Sequence, residues 1–165
     1  MARKSERSKS KKATPQKKRA IHKTVAAQSP QKAGSGPAAK MSLAPMLSVR
    51  NGAEALEFYK AAFGARELFK IAAPDGAVVA QLAFGESEFW VADESPEHLN
   101  FSPQSLGGAT ARMVMVVADP DAAFAHAVAT GASVVAPVED QPYGWRVGRV
   151  VDPFGHHWEI GKPLG

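Results

Sequence analysis

Residues 151–160 read Val-Asp-Pro-Phe-Gly-His-His-Trp-Glu-Ile, which places the end of one strand, a tight turn and the start of another in a single short stretch. Asp152-Pro153-Phe154-Gly155 predicts the turn, because proline sets φ early and glycine supplies the position with φ > 0. On this reading residues 147–151 are the incoming strand and a second strand starts at His156. Glu159 then falls in the middle of that last strand, between Trp158 and Ile160. A carboxylate so placed needs a counter-charge, a cavity or a metal ion to offset its loss of water.

Upstream of this hairpin, one pattern of strand, helix and three strands occurs twice. In the first copy, residues 43–49 read as a strand and Asn51 as a helix cap. Ala55, Leu56, Tyr59 and Phe63 then fall at helical spacing before Gly64. Residues 66–72 and 77–84 predict a hairpin around Pro74-Asp75-Gly76, and residues 88–92 a fourth strand. Residues 93–108, with several Ser, Pro and Gly, read as a linker. The order then returns, with residues 110–117 as a strand, Asp119 capping a helix that Gly131 closes, and three further strands. Ser48 to Ala55 can be laid over Val116 to Ala123, and Gly64-Ala65 over Gly131-Ala132, so the chain carries a degenerate internal repeat. The two modules span residues 41–92 and 109–163. Neither curved sheet buries both faces alone, so the modules are expected to pair.

The Asp-Pro-Phe-Gly turn, the glutamate after it and the repeat resemble the vicinal-oxygen-chelate superfamily, which includes glyoxalase I, fosfomycin-resistance proteins, extradiol dioxygenases and bleomycin-resistance proteins. Within it, the sequence is similar to the glyoxalase/bleomycin-resistance-like proteins over residues 41–163. The resemblance implies an α+β fold in which two tandem βαβββ modules form a curved, cleft-containing mixed sheet. It also implies edge-to-edge pairing of the modules and, in many members, a homodimer that completes the cleft.

Family members hold a metal through His or Gln in the first strand, Glu in the fourth, His in the fifth and Glu in the eighth. Matching the strands puts Ala44, Val91, Arg112 and Glu159 at those positions. Alanine and valine have no donor atoms and arginine is permanently cationic, so only Glu159 can ligate. A catalytic metal ordinarily takes about three protein ligands, so no cofactor and no divalent metal is expected. His157 shares a face with Glu159 and is expected to serve structure or ligand contact, while His156 belongs to the turn. Arg112 is expected beside Glu159, as an ion pair in place of the metal; the alternative is that it points to solvent.

Strand alternation places Leu47, Val49, Trp90, Met115, Val117 and Trp158 toward the helices. Met46, Ser48, Phe89, Val114, His157 and Glu159 then line the cleft, with Tyr143, Trp145 and Arg146 at its rim. Three functions compete. In the first, a metal-independent protein binds an unknown small molecule in a dimer cleft, with the acidic body weakly favouring a cationic ligand. The second is a glyoxalase-like enzyme acting on a small oxygenated substrate, with Glu159 or His157 as general base. The third is nucleic-acid association through the amino-terminal tail.

That tail separates sharply in charge from the rest. Residues 1–40 hold twelve Lys and Arg against Glu6, net +11, whereas residues 41–165 hold eight basic and fifteen acidic residues, net −7. With almost no large apolar residues, the tail is expected to be disordered. Its clustered Lys could bind nucleic acid, but no aromatic residue is interleaved to stack on bases. Met41 begins a stretch that resembles a natural start, so the native protein is expected to begin there. The chain has no cysteine, which excludes disulfides and thiol nucleophiles. With no apolar run of membrane-span length and no apolar core to the opening residues, the expected location is the cytoplasm.

Overall fold

The structure is a computed structural model that describes residues 41–165; the readings of the basic tail and of the start site lie outside the described residues. The first module runs β1 (Met46–Val49), α1 (Gly52–Phe63), β2 (Arg66–Ala72), β3 (Val78–Phe84) and β4 (Ser87–Asp93). A linker with one 3-10 turn (Pro96–His98) and the short α2 (Pro103–Leu106) leads to the second. That module runs β5 (Arg112–Val116), α3 (Pro120–Thr130), β6 (Ser133–Gln141), β7 (Trp145–Val151) and β8 (His157–Pro163).

Each module forms its own four-stranded mixed sheet, ordered β1-β4-β3-β2 and β5-β8-β7-β6. The parallel pairs are β1 with β4 and β5 with β8; the other neighbours are antiparallel. This is the α+β architecture expected from the repeat, with the sheets kept separate rather than joined edge to edge by a ladder.

The helix boundaries follow from local chemistry. Asn51 Oδ1 accepts the Glu54 amide at 3.2 Å while Glu54 Oε2 accepts the Asn51 side-chain amide at 3.0 Å, a reciprocal cap. Gly64 ends α1 at φ 66°, a conformation that costs glycine nothing. Asp119 caps α3 through the Ala122 amide at 3.0 Å, with Pro120 in the first turn.

Ala55, Leu56, Tyr59 and Ala62 of α1 are all buried, at spacings that share one helix face. They join a core drawn from both modules. Phe63 lies 4.7 Å from Trp158 between ring centroids, and Tyr59 packs on Phe89, Phe154 and Trp158 at 5.6–6.1 Å. Fully burying a side chain the size of Leu56 contributes roughly 1.5–3 kcal/mol. From α3, His126 Nε2 donates to the Ala61 carbonyl of α1 at 2.9 Å. The helix-bearing sides therefore pack together, and the opposite face of each sheet looks outward.

This packing corrects the expected phase of β4. Phe89 is 4 % exposed and Val91 fully buried, so both face the helices. Trp90, expected in the core, faces outward with its ring 6.0 Å from Phe69 of β2. Alternation has a period of two, and a slip of one residue exchanges the faces of a whole strand. Phe89-Trp90-Val91 is apolar throughout, so its sequence carries no phase. In β8, Trp158 and Ile160 are buried and His157 and Glu159 face outward, as expected.

Candidate functional site

The outward face of the second module gathers the charged side chains of the site. In β7 a Cβ on Gly148 would meet Phe124 of α3 at 2.8 Å, and Val150 is fully buried, so both positions face the helices. Trp145, Val147, Arg149 and Val151 consequently face the other way, with His157 and Glu159 of β8 and Arg112, Val114 and Val116 of β5. The ladders pair Arg112 with His157, Val114 with Glu159 and Arg149 with Glu159. Glu159 thus has an arginine on a neighbouring strand to either side.

Arg112 Nη1 lies 2.9 Å from Glu159 Oε1, which is the expected ion pair. The pair is not sequestered, since the two side chains are 56 % and 29 % exposed. Arg149 Nε and His157 Nδ1 are both buried and have no hydrogen-bond partner among the described residues. Arg149 was absent from the sequence-based site although a signal for it exists. The turn at residues 152–155 sets Val151 opposite His157, and counting back two residues on each strand puts Arg149 opposite Glu159.

The remaining expected residues do not converge on one cleft within a chain. Met46 and Ser48 line a groove of about 330 Å³ with Phe101, Leu106 and His156, whereas Phe89 and Val114 border a separate groove of about 320 Å³ between β4 and β5. Phe89 borders that groove as part of the core and does not line an outward cleft. Tyr143 sits 70 % exposed in the β6–β7 turn, and Trp145 begins β7 on the outward face. Arg146 is corrected from a cleft-rim position to the helix side. Its Nε donates to Asp121 Oδ2 of α3 at 2.7 Å and its Nη1 to Asp140 Oδ1 of β6 at 2.8 Å. The Arg146 bond to Asp121 holds that carboxyl below its ordinary value. His156 Nε2 donates to the Ser48 carbonyl at 2.9 Å, tying the turn before β8 to β1.

With β4 in its observed phase, Met46 pairs with Trp90 as Val114 pairs with Glu159. The position matching Glu159 in the first module is therefore Trp90 rather than Val91. An indole N–H only donates, so the shift supplies no ligand. Among the described residues no three His, Cys, Asp or Glu side chains come together. The donor set does not fit the divalent metal that the family resemblance implies.

The sequence model described as Glyoxalase/Bleomycin resistance protein/Dioxygenase superfamily matches residues 43–160. An uncharacterized protein of Mycobacterium bovis is 40 % identical over 126 residues, covering 74 % of this chain and 83 % of its own. The crystal structure of TioX from Micromonospora sp. ML1 aligns with TM-score 0.57 at 27 % identity, covering 75 % of this chain and 100 % of its own. The X-ray structure of an Arabidopsis thaliana gene product aligns with TM-score 0.57 at 31 % identity, covering 73 % of this chain and 96 % of its own.

Proposed function

The chain belongs to the glyoxalase/bleomycin resistance protein/dioxygenase superfamily, and we propose that it binds a small molecule without a metal, on outward sheet faces that a second copy of the chain covers. The observation that carries this reading is the Arg112 guanidinium 2.9 Å from Glu159. It places a permanent cation against the one carboxylate at a family ligand position, where a divalent ion would be repelled.

The apolar character of the first module's outward face supports a second copy. Met46, Phe69 and Ile71 are 57 %, 44 % and 56 % exposed there, around Trp90. Contiguous apolar patches on a monomer usually mark an interaction surface. A two-fold pairing of the first module with the partner's second module would set this apolar wall against the Arg112 and Glu159 face.

A glyoxalase-like reaction with Glu159 or His157 as base would also need an electrophile. Arg112 is engaged by Glu159, and Arg146 is held by Asp121 and Asp140 on the helix side. Both arginines expected in that role are thus engaged, which supports binding; Arg149, opposite Glu159, is the cation left for a ligand.

The test is elemental analysis of the purified full chain, with thermal shifts on adding Zn, Ni, Fe, Mn or Co and sedimentation of the wild type beside Ile71→Asp. Metal-free protein with no specific shift, and a dimer that Ile71→Asp dissociates, are the expected results. A stoichiometric metal lost in Glu159→Ala would overturn the metal-independent reading and bring the enzyme forward.

A further inference from the structure

The second module's outward face carries Arg112 and Arg149 against Glu159 of β8 and Glu139 of β6, the residue paired with Val147, and among the described residues Arg149 is in no ion pair. Arg112 and Arg149 flank Glu159 from β5 and β7, and only Arg112 is paired with it. Arg149 Nε is buried without a partner, and so is His157 Nδ1, the residue facing Val151 one ladder step from Arg149. Buried polar atoms in folded proteins are almost always bonded, so two orphans on one sheet face call for an outside partner. Around them stand Val114, Val116, Val147 and Val151, an apolar surface for the body of a ligand, and the second copy that covers this face under the proposed function would exclude water there and strengthen a charge-assisted bond.

We propose that Arg149, with His157 beside it, receives the oxyanion of a small apolar acid, a carboxylate or a phosphonate, while Arg112 neutralises Glu159. This rests on the reading that the outward faces bind a small molecule, and it names the ligand's charge. The planar guanidinium fork matches an oxyanion in a way that a point charge does not. Arg112, paired with Glu159, keeps that carboxylate from repelling the incoming acid. The unpaired Arg149 guanidinium at this spot reverses the weak preference for a cationic ligand drawn from the net −7 of residues 41–165. At a few ångströms the nearest guanidinium outweighs charges spread over the body, which salt screens beyond about 8–10 Å.

The test titrates the full-length protein with benzoate, phenylphosphonate, benzamide and benzylamine by calorimetry. The wild type is compared with Arg149→Gln and Arg149→Lys, after thermal melts show that each variant is folded. One oxyanion is expected to bind at least about tenfold more tightly than benzamide, since a bond to a charged group is worth roughly that factor or more. Arg149→Gln should remove the preference with benzamide binding unchanged, and Arg149→Lys should keep part of it; whichever acid is preferred identifies the oxyanion. Equal binding of acids and benzamide, preference for benzylamine, or a preference that survives Arg149→Gln would overturn the oxyanion site and leave small-molecule binding standing. Failure of all four probes to bind would overturn both readings.

Discussion

Tyr59, in the middle of α1, donates its hydroxyl to Asp152 Oδ2 at 2.8 Å across the boundary between the two modules. The same oxygen accepts Trp158 Nε1 at 2.9 Å, and Oδ1 accepts the Phe154 and His156 amides at 2.9 Å each. Asp152 is 4 % exposed, so its acceptor capacity is met entirely by the protein. The first residue of the Asp-Pro-Phe-Gly turn thereby shapes the turn and also ties it to the helix of the other module.

Tyr59→Phe removes one donor from a buried carboxylate and should cost about 1–3 kcal/mol in denaturant unfolding. It should also change the alkaline limb. Burial, and then the Asp152 charge, raise the Tyr59 phenol well above its ordinary value. The folded state thus holds the proton more tightly than the unfolded chain, and this contribution is present below about pH 10 and lost as pH rises further. A pH series should show that alkaline loss in the wild type and a smaller one in Tyr59→Phe.

Glu94 predicts the opposite limb. The Ser105 hydroxyl and the Ser102 amide, both at 2.8 Å, lower its carboxyl to about 2. A depressed carboxyl stabilises above its unfolded value, and that stability is lost as pH falls from the ordinary value of 4.5 toward about 2. In Glu94→Gln this part of the acid limb should disappear. The linker amides that Glu94 orders should exchange hydrogen faster at neutral pH.

Arg112 and Glu159 should couple only weakly in stability when no second copy covers them. In the Ile71→Asp background, where the pair is as exposed as in the single chain, a double-mutant cycle of Arg112→Ala and Glu159→Gln should return about 0.2–1 kcal/mol. A coupling of several kcal/mol in the wild-type background would mean that the pair is buried in the assembled protein.

Gly148→Ala tests the phase of β7. The new Cβ would lie 2.8 Å from both Phe124 and Val138, so overpacking should destabilise by about 1–3 kcal/mol. A neutral substitution would show that Gly148 faces outward, which would move Arg149 to the helix side and remove the oxyanion site with it.

Local patterns were enough for the turn at residues 152–155, the caps Asn51, Gly64, Asp119 and Gly131, the repeated module and the side on which Glu159 lies. Each depends on residues close in sequence, where turn chemistry and helical spacing act. The pairing of Arg112 with Glu159 was also expected, through the family resemblance, which implies that the first and last strands of each module are neighbours. The face of Phe89, Trp90 and Val91 was decided by tertiary packing, since three consecutive apolar residues suit either phase until the aromatic face of α1 selects Phe89 and Val91. Arg146 likewise went to the helix side because Asp121 of α3 stands there, a partner that sequence separation hides. The same phase of β7 turned Arg149 outward beside Glu159. Alternation along a strand is set by the sequence, but which half of it meets the core depends on what packs against the sheet.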